Sequence, residues 1–385
     1  MKVYYWSPFI SHVATVTAVI NSIISLKKFF TKNDYKIINV FKEWSLHENE
    51  LKKNQIECID LRSLLNINFL PKLGFLKSRF TYILTYFFSI LKLHNLLKKE
   101  KPDILIIHLI SSIPLSLLLL FNYETKFILR ISGYPKMTLI RTILWKLSNR
   151  KLYKVFCPTN HTKNYMINKN IFSKEKIFLV RDPIINVKKI NKAKKFELKE
   201  NFNWLYKKKY LISIGRLTKQ KNFIFLINEF NKTLSKFPDL NLVIIGEGDE
   251  KSHLKKLIFK KNLEQKVFLI GNQENVYPFL LNSLFFLLTS NYEDPGFVIL
   301  EAMYSKKIVL SSDCENGPID IIDHNLNGFL FKKKNSEDFQ LKFSQIIDLL
   351  NNDNLKTNTI LSLGLKTSKF YTLFNHYKDI SPHLK

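Results

Sequence analysis

Short apolar runs alternate with longer amphipathic stretches along the whole chain. Lys2-Val-Tyr-Tyr-Trp6 predicts a first strand, and Val13 to Phe30, with small and apolar residues on one face, predicts a helix. Ile104 to His108, Phe127 to Ile131, Val155 to Cys157 and Ile177 to Val180 are continuous apolar runs, the pattern of strands buried on both faces of a parallel sheet. A second series comprises Tyr210 to Ile214, Leu242 to Ile245, Val267 to Ile270, Leu284 to Leu288 and Ile308 to Leu310. Helical patterns fall near Phe223 to Phe237, Glu250 to Asn262 and Val298 to Ser305.

Between Asn186 and Asn203 the composition turns polar and highly charged, which predicts a linker over 186–203. The expected organisation is an N-terminal domain over 1–185 and a C-terminal domain over 204–385, with the last helix free to pack back on the N-terminal domain. Strands alternating with helices predict an α/β fold of two Rossmann-like domains facing across a cleft, with ligands at the carboxyl ends of the strands. Ile104 to Phe121 is mostly apolar, but His108, Ser111, Ser112 and Pro114 divide it into strand, turn and helix. Phe80 to Leu91 is too short to cross a bilayer as a helix.

Composition changes the picture in one respect. The 385 residues carry 60 Lys and Arg against 32 Asp and Glu, a formal charge of +28, while 46% of the chain is apolar. That apolar content excludes a disordered polycation, and seven Arg against 53 Lys fit poorly with a nucleic-acid-binding surface. A/T-rich codons account for part of the lysine, but Glu, also A/T-coded, lags behind. Residues 1–185 hold 29 basic and 11 acidic side chains and residues 186–385 hold 31 and 21, so the excess is concentrated in the first half. Cys58, Cys157 and Cys314 are scattered without disulfide or metal-ligand spacing, and the opening residues lack the pattern of a signal peptide. Both point to a reducing, cytoplasmic setting.

Candidate chemistry gathers at two strand ends. Gly215-Arg-Leu-Thr-Lys-Gln-Lys-Asn222 follows the first strand of the second domain. Glycine permits a sharp turn there, and Arg216 and Lys221 place two cations suited to a diphosphate. Taken alone, this is equally a solvated basic loop. Glu293-Asp-Pro-Gly-Phe-Val-Ile-Leu-Glu301 follows a later strand and runs into a helix. Gly296 allows close backbone approach, the amides at the helix start suit phosphate oxygens, Glu301 suits paired ribose hydroxyls and Glu293 the hydroxyls of a sugar. Gly246-Glu-Gly-Asp lacks the third glycine of a dinucleotide fingerprint, which weakens a dehydrogenase reading.

These motifs resemble the group 1 (family 4) retaining glycosyltransferases of GT-B fold. The resemblance is carried by Gly215-Arg216-Leu217 with Lys221-Asn222, Ile245-Gly-Glu-Gly248, Phe268 to Gly271, Ser290 to Met303, Ser312-Asp313 and Asn316-Gly-Pro318, in the family's order over most of the C-terminal domain. It implies that Arg216 and Lys221 hold the donor diphosphate and Glu293 the donor sugar, the three together forming the catalytic set. Gly215, Gly271 and Asn272, Gly296, Phe297 and Val298, and Glu301 would bind the rest of a nucleotide-sugar. It implies neither a bound metal nor another cofactor, consistent with the lack of an Asp-x-Asp triad. The acceptor would be a glycan or a lipid-linked sugar in bacterial surface polysaccharide synthesis (capsule, O-antigen or lipopolysaccharide). A nucleotide-sugar epimerase on the same fold is the competing enzyme, and a basic nucleic-acid-binding protein a more distant alternative.

The N-terminal domain departs from the family. Its first loop reads Ser7-Pro-Phe-Ile-Ser-His12 where many relatives have a glycine pair, and Arg130-Ile-Ser132-Gly133 stands where many have a histidine. His12, Arg130 and Ser132 are the acceptor-side candidates. His12 is as easily a capping or core histidine, Arg130 a buried ion-pair partner, and His108 more often structural. From Lys72 to Lys99 six basic residues and no acid flank the apolar run Phe80 to Leu91. Two readings stand: a helix lying on the inner face of an anionic plasma membrane, or a core helix with solvated ends.

Overall fold

The computed structural model describes residues 1–9, 14–61, 75–293 and 295–385; of Ala14 and residues 75–81 it describes the backbone. The chain forms two compact units, Met1–Ile184 with Leu373–Lys385, and Ile185–Thr372.

The first unit holds seven strands: β1 (Lys2–Trp6), β2 (Asp34–Asn39), β3 (Glu57–Asp60), β4 (Ile104–Ile107), β5 (Lys126–Arg130), β6 (Lys154–Cys157) and β7 (Ile177–Leu179). They pair in parallel in the order β3-β2-β1-β4-β5-β6-β7. Successive side chains point to opposite faces, so Tyr4 and Trp6 join the core beneath the helices Phe75–Glu100, Ser112–Leu120 and Leu139–Ser148, while Val3 and Tyr5 pack against Ala14–Phe29. The strand order reverses between β1 and β4.

The second unit holds β8 (Lys209–Ile214), β9 (Leu240–Ile245), β10 (Val267–Leu269), β11 (Phe286–Leu288), β12 (Val309–Ser312) and β13 (Phe329–Phe331), in the parallel order β10-β9-β8-β11-β12-β13. Its order reverses between β8 and β11. The expected α/β class is therefore observed, with two Rossmann-like sheets.

Three strands go beyond those the apolar runs predict. β2 and β3 carry charged residues, and β13 is three residues long. The charged segment 186–203 also differs from expectation. Instead of linking two domains it lies within the second unit and forms the helix Val187–Ala193, anchored by buried Ile190. Beyond it, Lys194 Nζ donates to Tyr304 O at 2.6 Å and Leu198 is buried.

The last helix, Leu373–Ile380, packs on Ala14–Phe29 in the first unit. A hydrogen-bond chain fixes it. Ser22 Oγ lies 3.0 Å from Tyr5 Oη and 2.8 Å from His376 Nε2, and His376 Nδ1 lies 2.7 Å from Arg181 O. The carbonyl can only accept, so Nδ1 carries the proton, Nε2 accepts from Ser22, and Ser22 in turn accepts from Tyr5. Burial lowers the His376 pKa to about 4. Because the folded value lies below the unfolded one, the stabilisation is complete above the ordinary histidine value of 6.5 and is lost as pH falls from there toward 4. His376 should account for up to about 3 kcal/mol of the loss seen over that window in urea unfolding of the first unit, and His376→Gln should remove that share while buried His108 and partly buried His383, whose pKa values are also lowered, keep theirs.

Candidate functional site

At the carboxyl edge of the second sheet, loops from adjacent strands touch through backbone. Gly215, directly after β8, donates its N–H to Ile245 O at 2.9 Å. A Cβ on Gly246 would stand 1.9 Å from Gly215 O, and one on Gly248 2.4 Å from Leu217 O, so both positions exclude any side chain. The loop 215–222 curls through Lys221 N to Thr218 O, 3.0 Å, and ends at Asn222, whose φ of 53° is left-handed. Thr289 Oγ1, past the end of β11, lies 3.2 Å from the carbonyls of Lys221 and Asn222. Asn291 N donates to Gln220 O and Gln220 Nε2 to Tyr292 O, at 2.8 and 3.0 Å. The β8 and β11 loops are thus joined at the point where strand order reverses, where α/β sheets bind ligands.

This juncture brings Lys221 and Glu293 together. Lys221 Nζ lies 2.6 Å from Glu293 Oε1, with 13% and 4% of the two side chains exposed. Ser290 Oγ donates to the same oxygen at 2.5 Å, and Asn316 Nδ2 reaches the Glu293 carbonyl at 3.4 Å. Gly296 has φ 82°, and a Cβ there would press to 3.2 Å on Glu293 Cγ. At Gly317 a Cβ would fall 1.9 Å from Pro295 O, so the loop after β12 backs the one carrying Glu293.

The remaining donor-side candidates surround this pair in sequence and structure. Arg216 is exposed, and its guanidinium has no ion pair or hydrogen bond among the described residues. Gly271, φ 72°, accepts from Gly246 N at 2.9 Å and is followed by exposed Asn272. Phe297 and Val298, half-buried, open the helix Val298–Tyr304, whose Ile299 and Leu300 amides donate back to Gly296 O and Phe297 O at 3.1 and 3.0 Å. Glu301 is partly buried and accepts from Tyr277 Oη at 3.2 Å. Burial raises its pKa, opposed by the Tyr277 hydrogen bond and the nearby charge of Lys189.

The acceptor-side candidates fare differently. His12 lies outside the described residues. Arg130 is 5% exposed, paired with Asp182 and donating to Ile131 O, so of its two readings the structure shows the buried ion pair. Ser132 Oγ donates to His108 O at 3.1 Å. His108 is buried, and desolvation together with the Arg130 charge holds its pKa well below the ordinary value, which keeps the ring neutral. Arg130 and Ser132 are thus engaged within the first unit, whereas His108 Nδ1 is buried with no hydrogen-bond partner among the described residues.

Sequence reasoning gave no role to Ser290, Thr289, Gln220, Asn316 or Tyr277. Ser290 and Asn316 lie inside the sequence motifs; Ser290 reaches Glu293 within one loop, whereas Asn316 meets its carbonyl only where the loop after β12 packs on the loop after β11. Among the described residues no group of three or more His, Cys, Asp or Glu is placed to hold a metal ion. The three cysteines are free, with burial raising the Cys157 and Cys314 thiols to about 12.

Two Rossmann-like sheets, with cations and acids gathered at the switch point of the second, define the GT-B class. Residues 194–361, somewhat less than half of the chain, match the family model "Glycosyl transferases group 1". An uncharacterized glycosyltransferase of Methanocaldococcus jannaschii is 31% identical over 256 residues, covering 61% of this chain and 62% of the relative. The N-acetylgalactosamine-N,N'-diacetylbacillosaminyl-diphospho-undecaprenol 4-alpha-N-acetylgalactosaminyltransferase of Campylobacter jejuni is 32% identical over 150 residues, 39% of this chain and 40% of the relative. The crystal structure of Anabaena HepE in complex with UDP and glucose superposes with a TM-score of 0.71 at 16% identity, covering 100% of this chain and 99% of that one.

Removing one member of a buried pair leaves the other charge unmatched, so Lys221→Met should destabilise the second unit by about 3–5 kcal/mol. Lys221→Met with Glu293→Gln should recover much of that loss, with a coupling energy of ~1–3 kcal/mol in a double-mutant cycle of urea unfolding. Additive losses would show that the two side chains do not interact.

Proposed function

We propose that the chain is a retaining glycosyltransferase that moves a sugar from a nucleotide-sugar to a glycan or lipid-linked acceptor in bacterial surface polysaccharide assembly. The observation that carries this reading is the placement of Arg216, Lys221 and Glu293 on two loops joined at the β8/β11 switch point. The family match over residues 194–361 supports it, as does the overall likeness to a structure that holds UDP and glucose. The Campylobacter relative, named for a diphospho-undecaprenol acceptor, supports the lipid-linked class.

In this reading Arg216 and Lys221 bind the diphosphate and stabilise the charge that develops on it as the glycosidic bond breaks. An ammonium has three N–H donors. Lys221 gives one to Glu293, which leaves two for phosphate oxygens. Glu293 holds a donor-sugar hydroxyl and orients Lys221, a positioning and charge role. Glu301 meets the ribose, with Gly271 and Asn272 beside the base and the amides at Gly296, Phe297 and Val298 beside phosphate. The two cations do the work that a divalent ion does in metal-dependent transferases, so the reaction is metal-independent. The protein works in the cytoplasm, peripherally on the inner face of the plasma membrane, and nucleic acid is not a partner.

Nucleotide release from UDP-, GDP- and dTDP-sugars should depend on added membrane extract and persist in EDTA. Arg216→Ala, which removes an exposed side chain without a partner among the described residues, should leave the fold intact and lower the rate by ~10²–10³-fold. Sugar isomerisation without an acceptor would indicate an epimerase instead, and an unchanged rate in Arg216→Ala would refute this site.

A further inference from the structure

Two helices of the first unit are turned outward in an unusual sense. In Phe75–Glu100 the positions one turn apart at Thr85, Ser89, Leu93 and Leu97 are buried, while Ile83, Phe87 and Leu91 face solvent. Two hydroxyl residues therefore lie inside, and Phe87 and Leu91 stand outside at 69% and 68% exposure. The helix is about 39 Å long at 1.5 Å per residue, and Leu93 and Leu97 in its C-terminal half join the core over the sheet. The second helix, Leu139–Ser148, does the same over its whole length. Leu139, Ile140, Ile143 and Leu147 form a solvent-facing stripe, with Ile140 at 80%, while Trp145 on the opposite side is buried.

The two stripes belong to one surface. The helix Ser112–Leu120 packs against both helices, and all three lie on the same face of the sheet. Arg141 is partly buried beside Trp145, 5.6 Å from its ring, and the Tyr82 phenol is near enough to act on its charge. Each helix begins at the carboxyl edge of the sheet, the edge that carries the loop from Ile131 to Thr138.

Charge identifies what this surface meets. No Asp or Glu occurs in residues 75–99 or 125–174, whereas Lys92, Lys98, Lys99, Lys136, Arg141, Lys146 and Arg150 flank the apolar stripes. A second copy of the chain docked face to face would set these cations against their equals. An anionic bilayer matches both parts, since apolar side chains enter the boundary of headgroups and acyl chains while Lys and Arg meet the lipid charge. No helix among the described residues is long and apolar enough to cross a membrane.

We propose that the outward faces of Phe75–Glu100 and Leu139–Ser148 together form one docking surface for an anionic lipid bilayer. The surface extends past the basic apolar stretch of the first helix to a second helix, and it does not depend on the sugar-transfer reading, because it is a property of the first unit alone. The full-length protein should co-sediment with phosphatidylcholine vesicles that contain phosphatidylglycerol, release from them as salt rises, and bind poorly to vesicles of phosphatidylcholine alone. Phe87→Glu with Ile140→Glu should weaken binding at least ~10-fold, and Lys146→Gln with Arg150→Gln roughly 10-fold at low salt. Binding of UDP should be unchanged in all of them, which separates this proposal from the assignment of the donor site. Ile143→Gln with Leu147→Gln is the milder alternative should the glutamate variant fail to fold. Retention unaffected by changes in Leu139–Ser148, equal binding to neutral vesicles at every salt concentration, or a stable dimer that Ile140→Glu disperses would each overturn it.

Discussion

Glu293 sets the terms for the second unit, because a carboxylate 4% exposed must be matched where it stands. Lys221 reaches it from the β8 loop, Ser290 from its own loop, and Asn316 holds its backbone from the β12 loop. Three consecutive connections in space must therefore take one mutual arrangement for the charge to be tolerated. That requirement places donors and acceptors at fixed positions before any ligand arrives, the kind of preorganisation on which electrostatic catalysis relies.

Glycine makes the arrangement possible, and this is why the second unit was readable from sequence. Where backbones approach so closely that a Cβ would lie about 2 Å from a carbonyl, as at Gly246 and Gly317, the residue type is dictated by space. Such positions leave a trace in the sequence whatever surrounds them. Thr289 and Tyr277 leave none, because each hydroxyl acquires its role from a partner far away along the chain. Thr289 meets the carbonyls of Lys221 and Asn222, and Tyr277 meets Glu301, in each case across strands.

Strands were legible for a similar reason. Those near the middle of each sheet are buried on both faces and carry continuous apolar runs, as in Ile104–Ile107 and from Leu242 to Ile245 within β9. β3 lies at an edge with exposed Glu57, Cys58 and Asp60, so its sequence carries no such pattern. The 186–203 segment misled in the opposite sense. A helix anchored through Ile190 on one side leaves its lysines to solvent, and composition alone does not separate that from a linker.

In the first unit, polar side chains serve the fold itself. Arg130 with Asp182, His108 beside them, and His376 with Ser22 and Tyr5 lie in the interior between the sheet and the returning C-terminal helix. Matching them internally tethers residues 373–385 to a sheet that the chain left some 190 residues earlier. In the second unit Arg216 and Asn272 are exposed at the carboxyl edge, and Lys221 retains donors beyond its ion pair. The basic excess thus has separate physical meanings: Arg130 is neutralised in the core, Lys221 is half-committed at the site, and further cations flank two apolar helical stripes in the acid-free stretches 75–99 and 125–174. The last group adjoins large apolar side chains, Phe87 and Ile140 among them, that the first unit leaves exposed.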